Sequence, residues 1–186
     1  MATETQATTK VVTGKVRFSY VSIFEPKAIE GSEDKKYSMA ILINKSDKAT
    51  LDRIEKAMNA AKEQGKSKWG GKIPAKLKLP LRDGDEEKPD EEAYAGHYFI
   101  NATSKTKPGI VDKDCNPIID PEEVYSGCFG RASINFYPFD ANGNRGVAVG
   151  LNNVQKLSDG EALGGVKSKP EDDFSDDFED SDDFLD

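Results

Sequence analysis

Hydrophobic and polar positions alternate through KVVTGKVRFSYVSIF (10–24), the period-two signature of a strand with one buried face. Val12, Val16, Phe18 and Tyr20 form one side; Thr13, Lys15, Arg17 and Ser19 form the other. Gly14 inside the run predicts a bulge or bend, as strands of small barrels often need. A Gly-Ser-Glu-Asp turn leads into KKYSMAILIN (35–44), a second strand. Then the period changes. In SDKATLDRIEKAMNAAKEQG (46–65), Leu51, Ile54, Met58 and Ala61 recur every three or four residues. Ser46 or Asp47 can cap the start and Gly65 can end the run, so a single helix is predicted over about 47–64.

Residues 66–97 show no sustained period and divide into a basic half, KSKWGGKIPAKLKLPLR, and an acidic half, DGDEEKPDEE. A connection of this length is functional or mobile. HYFINATS (97–104) reads as a strand, and TKPGIVDKDCNPIID as a turn-rich hairpin. DPEEVYSG predicts one helical turn with Asp120 as cap and Pro121 at its first position. CFGRASINFYPFD (128–140) is a strand, ANGN (141–144) a hairpin turn with Asn-Gly at its centre, and RGVAVGLNNVQKL (145–157) the returning strand. The order β-β-α-loop-β-β-β is mainly β and fits a small antiparallel barrel with one helix.

Charge divides the chain further. Among 186 residues there are 26 basic and 34 acidic side chains, but ten of the acids fall in PEDDFSDDFEDSDDFLD (170–186), which has no base. Residues 10–82 carry 17 basic and 8 acidic residues. A loose arm (1–9), a body (10–157) and a disordered linker and acidic tail (158–186) follow from these shifts. Cys115 and Cys128 have neither metal nor redox spacing and read as reduced thiols. The N-terminus lacks an apolar signal segment, and no apolar run approaches the roughly 18–20 residues of a membrane span. The expectation is a soluble cytoplasmic protein with no membrane partner.

The strand 128–139 carries the first functional signal. Cys128, Ala132, Ile134 and Phe136 make an apolar face. Phe129, Arg131, Ser133, Asn135, Tyr137 and Phe139 make the other, mixing rings, a cation and polar groups. Bases stack on such rings at ~1–3 kcal/mol each, and cations hold phosphates. The competing reading is a face covered by a loop, its rings filling a second core. The second signal is Lys66, Lys68, Lys72, Lys76, Lys78 and Arg82 around the lone Trp69, beside a Gly-Gly that would let the indole swing onto a base. The alternative there is a solvated basic loop whose Trp packs on the barrel.

Other chemistry is poorly supported. DKDCNPIIDPEE (112–123) places Asp112, Asp114, Asn116, Asp120 and Glu123 at calcium-loop spacing, but Pro117 occupies the position that needs a glycine turn. His97 is the single histidine, and no phosphate-binding loop, nucleophile elbow or Cys-x-x-Cys is present. A carboxylate–metal nuclease is the enzymatic alternative. The reading is non-enzymatic, without cofactor or metal.

In the tail, Asp-Asp-Phe occurs three times. Phe174, Phe178, Phe184 and Leu185, framed by Asp182, Asp183 and Asp186, suit a partner pocket with a basic rim. The same string imitates single-stranded DNA and can compete for a basic groove to which it is tethered. A plain solvating tail is the simpler alternative.

YSGCFGRASINFYPFDANGNRGVAVGLNNVQKL (125–157) is similar to an OB-fold family of phage single-stranded-DNA-binding proteins first described as a domain of unknown function. The resemblance covers about residues 10–157, and the tail resembles in style those of bacterial and phage single-strand binders. It implies sequence-tolerant ssDNA binding in phage replication and recombination, in the host cytoplasm. It implies DNA contact at Arg131, Asn135, Tyr137 and the loop near Trp69, and recruitment of replication or recombination proteins by 170–186. The chain departs from the bacterial pattern by ending Phe184-Leu185-Asp186 rather than Pro-Phe. The alternative function is a protein-interaction module whose tail mimics DNA, without DNA binding by the body. Oligomeric state is not readable from these patterns.

Overall fold

The computed structural model describes residues 8–28 and 33–163. The readings of the N-terminal arm, the tip of the first turn and the Asp-Asp-Phe tail fall mostly or wholly outside those residues. Eight strands form one sheet: β1 (Lys10–Val12), β2 (Val16–Ala28), β3 (Lys35–Asn44), β4 (Arg82–Asp83), β5 (His97–Ser104), β6 (Gly109–Val111), β7 (Phe129–Ala141) and β8 (Asn144–Ser158). The main helix α1 spans Lys48–Gly65, and a four-residue α2 spans Gly84–Glu87.

The sheet closes on itself. β2 pairs with β3, β3 with β5, β5 with β8, β8 with β7, and β7 returns to β2. All these pairings are antiparallel except β5–β8, which is parallel and registers only at Thr103↔Gly150. This five-strand ring with one parallel join is the OB-like barrel. Near that join Lys78 bridges to Gly146 from outside the named strands. Asn142 and Gly143, both at positive φ, make the β7–β8 hairpin turn, which favours Asn-Gly.

Alternation sets the inner layer. Phe18, Ile23, Met39, Ile41, Ile43, Ile100, Ala102, Ala132, Ile134, Phe136, Val149 and Leu151 all enter one core. α1 adds Ile54, Ala57, Met58 and Ala61 to it. Asp47 caps the helix, accepting from the Thr50 amide at 3.2 Å.

Gly14 does more than bend the first strand. It splits 10–24 into β1 and β2, and both pair with β7. The inward phase changes across the break. Val11 and Thr13 are buried before it and Val16 and Phe18 after it, while Val12 is exposed, unlike its sequence-level assignment. Buried Thr13 holds the break: its hydroxyl accepts from the Ala132 amide at 3.0 Å. A second irregularity between Ser19 and Ser22 puts Tyr20 at positive φ and turns it outward. One-residue insertions of this kind exchange faces and are invisible to strict alternation.

Trp69 takes the packed position that was the alternative to a mobile indole. It is 4% exposed, and its Nε1 donates to the Phe139 carbonyl at 3.0 Å. A ring fixed in this way cannot swing onto a base; it pins the loop after α1 to the end of β7. Beyond Ser158 the chain stays on the body: the Leu163 amide donates to the Ser126 carbonyl, and Leu163 packs on Leu42, Tyr94 and Phe99.

Two outcomes test this packing. A Cβ on Gly65 would lie 2.6 Å from the Trp69 ring and 2.7 Å from Pro138. Gly65→Ala is therefore expected to lower stability by about 1–3 kcal/mol in urea unfolding, overriding a helix-propensity gain of about 1 kcal/mol. A neutral or stabilising result would place the indole elsewhere. Trp69 emission is expected to be blue-shifted and resistant to acrylamide until the protein unfolds.

Candidate nucleic-acid interface

The outward residues of β2, β3 and β5 are unusually small and polar. Register pairs Ser22 with Ser38, Ser38 with Thr103, and Ala40 with both Ser19 and Asn101. The next outward pair, Leu42 and Phe99, is capped: Tyr94 meets Phe99 edge-on at 5.2 Å, and Leu163 closes over them. Ser19 and Ala40 beside them are buried too, and the sheet opens only at Ser38, Asn101 and Thr103.

Three adjoining hollows run across that uncovered surface. One lies among Tyr20, Ser22, Lys27, Lys36, Ser38 and Thr103. The next lies among Tyr20, Arg82, Lys88 and Asn101. The third, about 840 Å³, is bounded by Lys78, Leu79, Arg82, Tyr98, Asn101, Thr103, Phe139 and Ala148. Shared residues (Tyr20, Arg82, Asn101 and Thr103) join them into one groove.

The walls carry rings and cations. Tyr20 is 58% exposed, with the Lys88 ammonium 5.8 Å from its ring centre. Its hydroxyl donates to Glu91; that hydrogen bond, with burial and the carboxylate's charge, pushes its pKa up to about 12. Arg82 lies 5.3 Å from the centre of Phe99 and forms a two-pronged pair with Glu87. On the far side Lys45 binds Asp83 at 2.8 Å and Asp85 at 2.7 Å. Hydrogen bonds from that ammonium hold both carboxyls below the usual carboxylate range.

The residues singled out on β7 separate along the strand. The alternation itself is as the sequence indicates: Gly130, Ala132, Ile134, Phe136 and Pro138 are buried, and the intervening side chains face outward. Phe129 is occupied within the body, with the Lys15 ammonium and Arg17 guanidinium 5.2 and 5.3 Å from its ring centre and Gly160 against its edge. Arg131 donates to the Thr13 carbonyl at 3.0 Å. Asn135 accepts from the Thr9 hydroxyl at 3.1 Å. Tyr137, 39% exposed, extends beside Gly150 and lines none of the three hollows.

The basic loop divides similarly. Lys66 pairs with Glu63, and Lys68 reaches the Pro138 carbonyl at 3.5 Å, both near the Trp69 anchor. Lys72 and Lys76 are exposed. Only Lys78 and Arg82 line the groove. Sequence reading missed Tyr20, Lys27, Lys36, Lys88, Asn101 and Thr103. Short strands with mixed outward residues carried no ring-and-cation pattern there, and the bulge that exposes Tyr20 left no period-two trace. Among the described residues no group of three or more His, Cys, Asp or Glu side chains could hold a metal ion, and no helix is long and apolar enough to cross a membrane.

Known proteins share this architecture. The single-stranded DNA-binding protein from bacteriophage Enc34, solved in complex with ssDNA, superposes with a TM-score of 0.74 at 23% identity, covering 88% of this chain and 97% of that one. The bacteriophage T7 single-stranded DNA binding protein gp2.5 superposes with a TM-score of 0.59 at 17% identity, covering 94% and 97%. At these identities the likeness is one of fold. In sequence the chain is 35% identical over 179 residues to "Putative protein p50" of Acyrthosiphon pisum secondary endosymbiont phage 1, covering 89% of this chain and 94% of that protein. Residues 9–185 match the family described as "Enterobacter phage Enc34, ssDNA-binding protein". With nearly its whole length inside that match, the chain belongs to the Enc34 family of phage single-stranded-DNA-binding proteins.

Proposed function

We propose that this chain binds single-stranded DNA across the β2–β3–β5–β8 groove, with little sequence preference, during phage DNA replication and recombination in the host cytoplasm. The observation that carries the reading is the open sheet face itself: a polar floor between Tyr20 at one wall and Phe139 at the other, with Lys27, Lys36, Lys78, Lys88 and Arg82 along it, and with Tyr137 exposed on the same face of β7 as Phe139. Stacking on rings tolerates any base, and the cations follow the phosphates. Nothing in this arrangement supplies a catalytic constellation, in keeping with a family that is not a class of enzymes.

The acidic tail is read as a competitor for the groove and a recruiter of replication proteins. Leu163, the last described residue, lines a hollow with Tyr20 of the groove. The 23 residues from 164 to 186 reach on the order of 75 Å when extended at about 3.3 Å each. A tether that short and that well placed keeps its carboxylates at roughly millimolar local concentration. Phe174, Phe178 and Phe184 then serve as anchors for a partner when DNA takes the groove.

Titration of labelled oligothymidine by fluorescence anisotropy tests the reading. Affinity is expected to fall as salt rises, and to increase when the chain is ended at Lys169. No binding by either form, with the fold intact, would sink DNA binding by the body. Tyr20→Ala and Tyr137→Ala are each expected to cost about 1–3 kcal/mol of binding. Lys36→Ala is expected to lower the slope of log affinity against log salt by roughly one contact. Phe129→Ala, by contrast, is expected to act on stability more than on affinity.

A further inference from the structure

The acidic stretch after Arg82 lies against the groove rather than away from it. Asp83, Glu86 and Glu87 border the largest hollow, and Glu87 also borders the next. These acids divide into two roles. Asp83 and Asp85 are consumed by the fold: Lys45 clamps both, Asp83 caps α2, and Asp85 accepts from the Gly96 amide at 3.1 Å. Gly84 packs so closely on the Tyr94 and His97 carbonyls that no side chain fits there. The base of the flap is thus fixed. Glu87, at the other end of α2, meets the groove.

Glu87 grips the Arg82 fork from the side a phosphate would use. Arg82 Nε donates to both carboxylate oxygens, at 3.0 and 2.9 Å, and Nη2 donates to Oε1 at 2.7 Å. A planar guanidinium binds carboxylate and phosphate with the same two-pronged geometry. Arg82 does not depend on Glu87 for its position. It sits on β4, paired with Phe99 of β5, and its guanidinium rests over the Phe99 ring. The pair is substantially exposed on both sides, so it is weakly held and open to exchange.

We propose that Glu87 is an internal phosphate surrogate, which occupies Arg82 at the middle of the groove until a phosphate of bound single-stranded DNA displaces it. The proposal rests on the DNA-binding reading above. It places a second acidic competitor in the body, distinct from the tail: a single carboxylate held against one cation by a fixed flap. Displacement needs an anion delivered with stacking bases, which favours a polynucleotide over a free anion competing for Arg82 alone.

The test uses full-length protein and labelled oligothymidine at one salt concentration, comparing the natural chain with E87Q, R82A and the double variant. E87Q is expected to bind roughly two- to five-fold more tightly, the range set by one exposed ion pair. R82A is expected to bind more weakly, and the gain from E87Q is expected to shrink or vanish without Arg82. Thermal unfolding of E87Q should match the natural chain closely. Unchanged or weaker binding by E87Q, while the natural chain binds, would overturn the surrogate and leave the DNA-binding reading standing. An equal gain with and without Arg82 would also overturn it, reducing Glu87 to general repulsion. No binding by any of the four proteins would overturn both.

Discussion

β7 buries its inner side chains only because both of its edges are paired. β8 takes one edge along nearly the whole strand; β1 and β2 share the other. That sharing requires the chain to change phase at Thr13–Gly14, and Thr13 secures the change by two hydrogen bonds with Ala132 of β7: its amide donates to the Ala132 carbonyl and its hydroxyl accepts from the Ala132 amide. Without the break a single straight strand would keep one register along β7, and the face of β2 that carries Phe18 would point away from the core. Ala132, Ile134 and Phe136 would then have no common core with Phe18 and Ile41.

Closure also assigns the two surfaces of the sheet. Inside, β-branched and aromatic side chains interlock with one another and with the α1 stripe. Outside, the same strands carry Ser22, Ser38, Ala40, Asn101 and Thr103, which neither build a second core nor repel a ligand. The second cluster under Tyr94 and Leu163 ends at Phe99. The groove is therefore what remains between a finished interior and an outer cap that stops partway across the sheet. Its charges are local: Arg82 and Lys88 stand within the same flap as the acids that answer them.

The elements were legible where periodicity was unbroken. β3 and β5 run over the residues that alternation marks, α1 starts one residue after its capping Asp47, and Asn142-Gly143 turns the last hairpin. The inner and outer sets of β7 were legible for the same reason. What could not be read was the meaning of an outward ring. Phe129 and Tyr137 lie on one face of one strand, yet Phe129 is enclosed by Lys15, Arg17 and Gly160 while Tyr137 is exposed. Those neighbours arrive from distant parts of the chain. The choice between a mobile and a packed Trp69 was left open because Gly-Gly suggests freedom, and the Phe139 carbonyl and the tight contact with Gly65 that hold the ring come from elsewhere in the chain. Tyr20 was assigned inward because one irregular step after Ser19 reverses the face.

The parallel join between β5 and β8 has a consequence for how the barrel holds together. Every other neighbour in the ring shares at least two registered positions; this one shares Thr103↔Gly150 alone, with Lys78 lending a bridge to Gly146 close by. It is the seam at which the wall is least stitched. The groove crosses this seam, with Asn101 and Thr103 on one bank and Ala148 on the other. A ligand laid across the groove would bridge the wall at its most sparsely registered step.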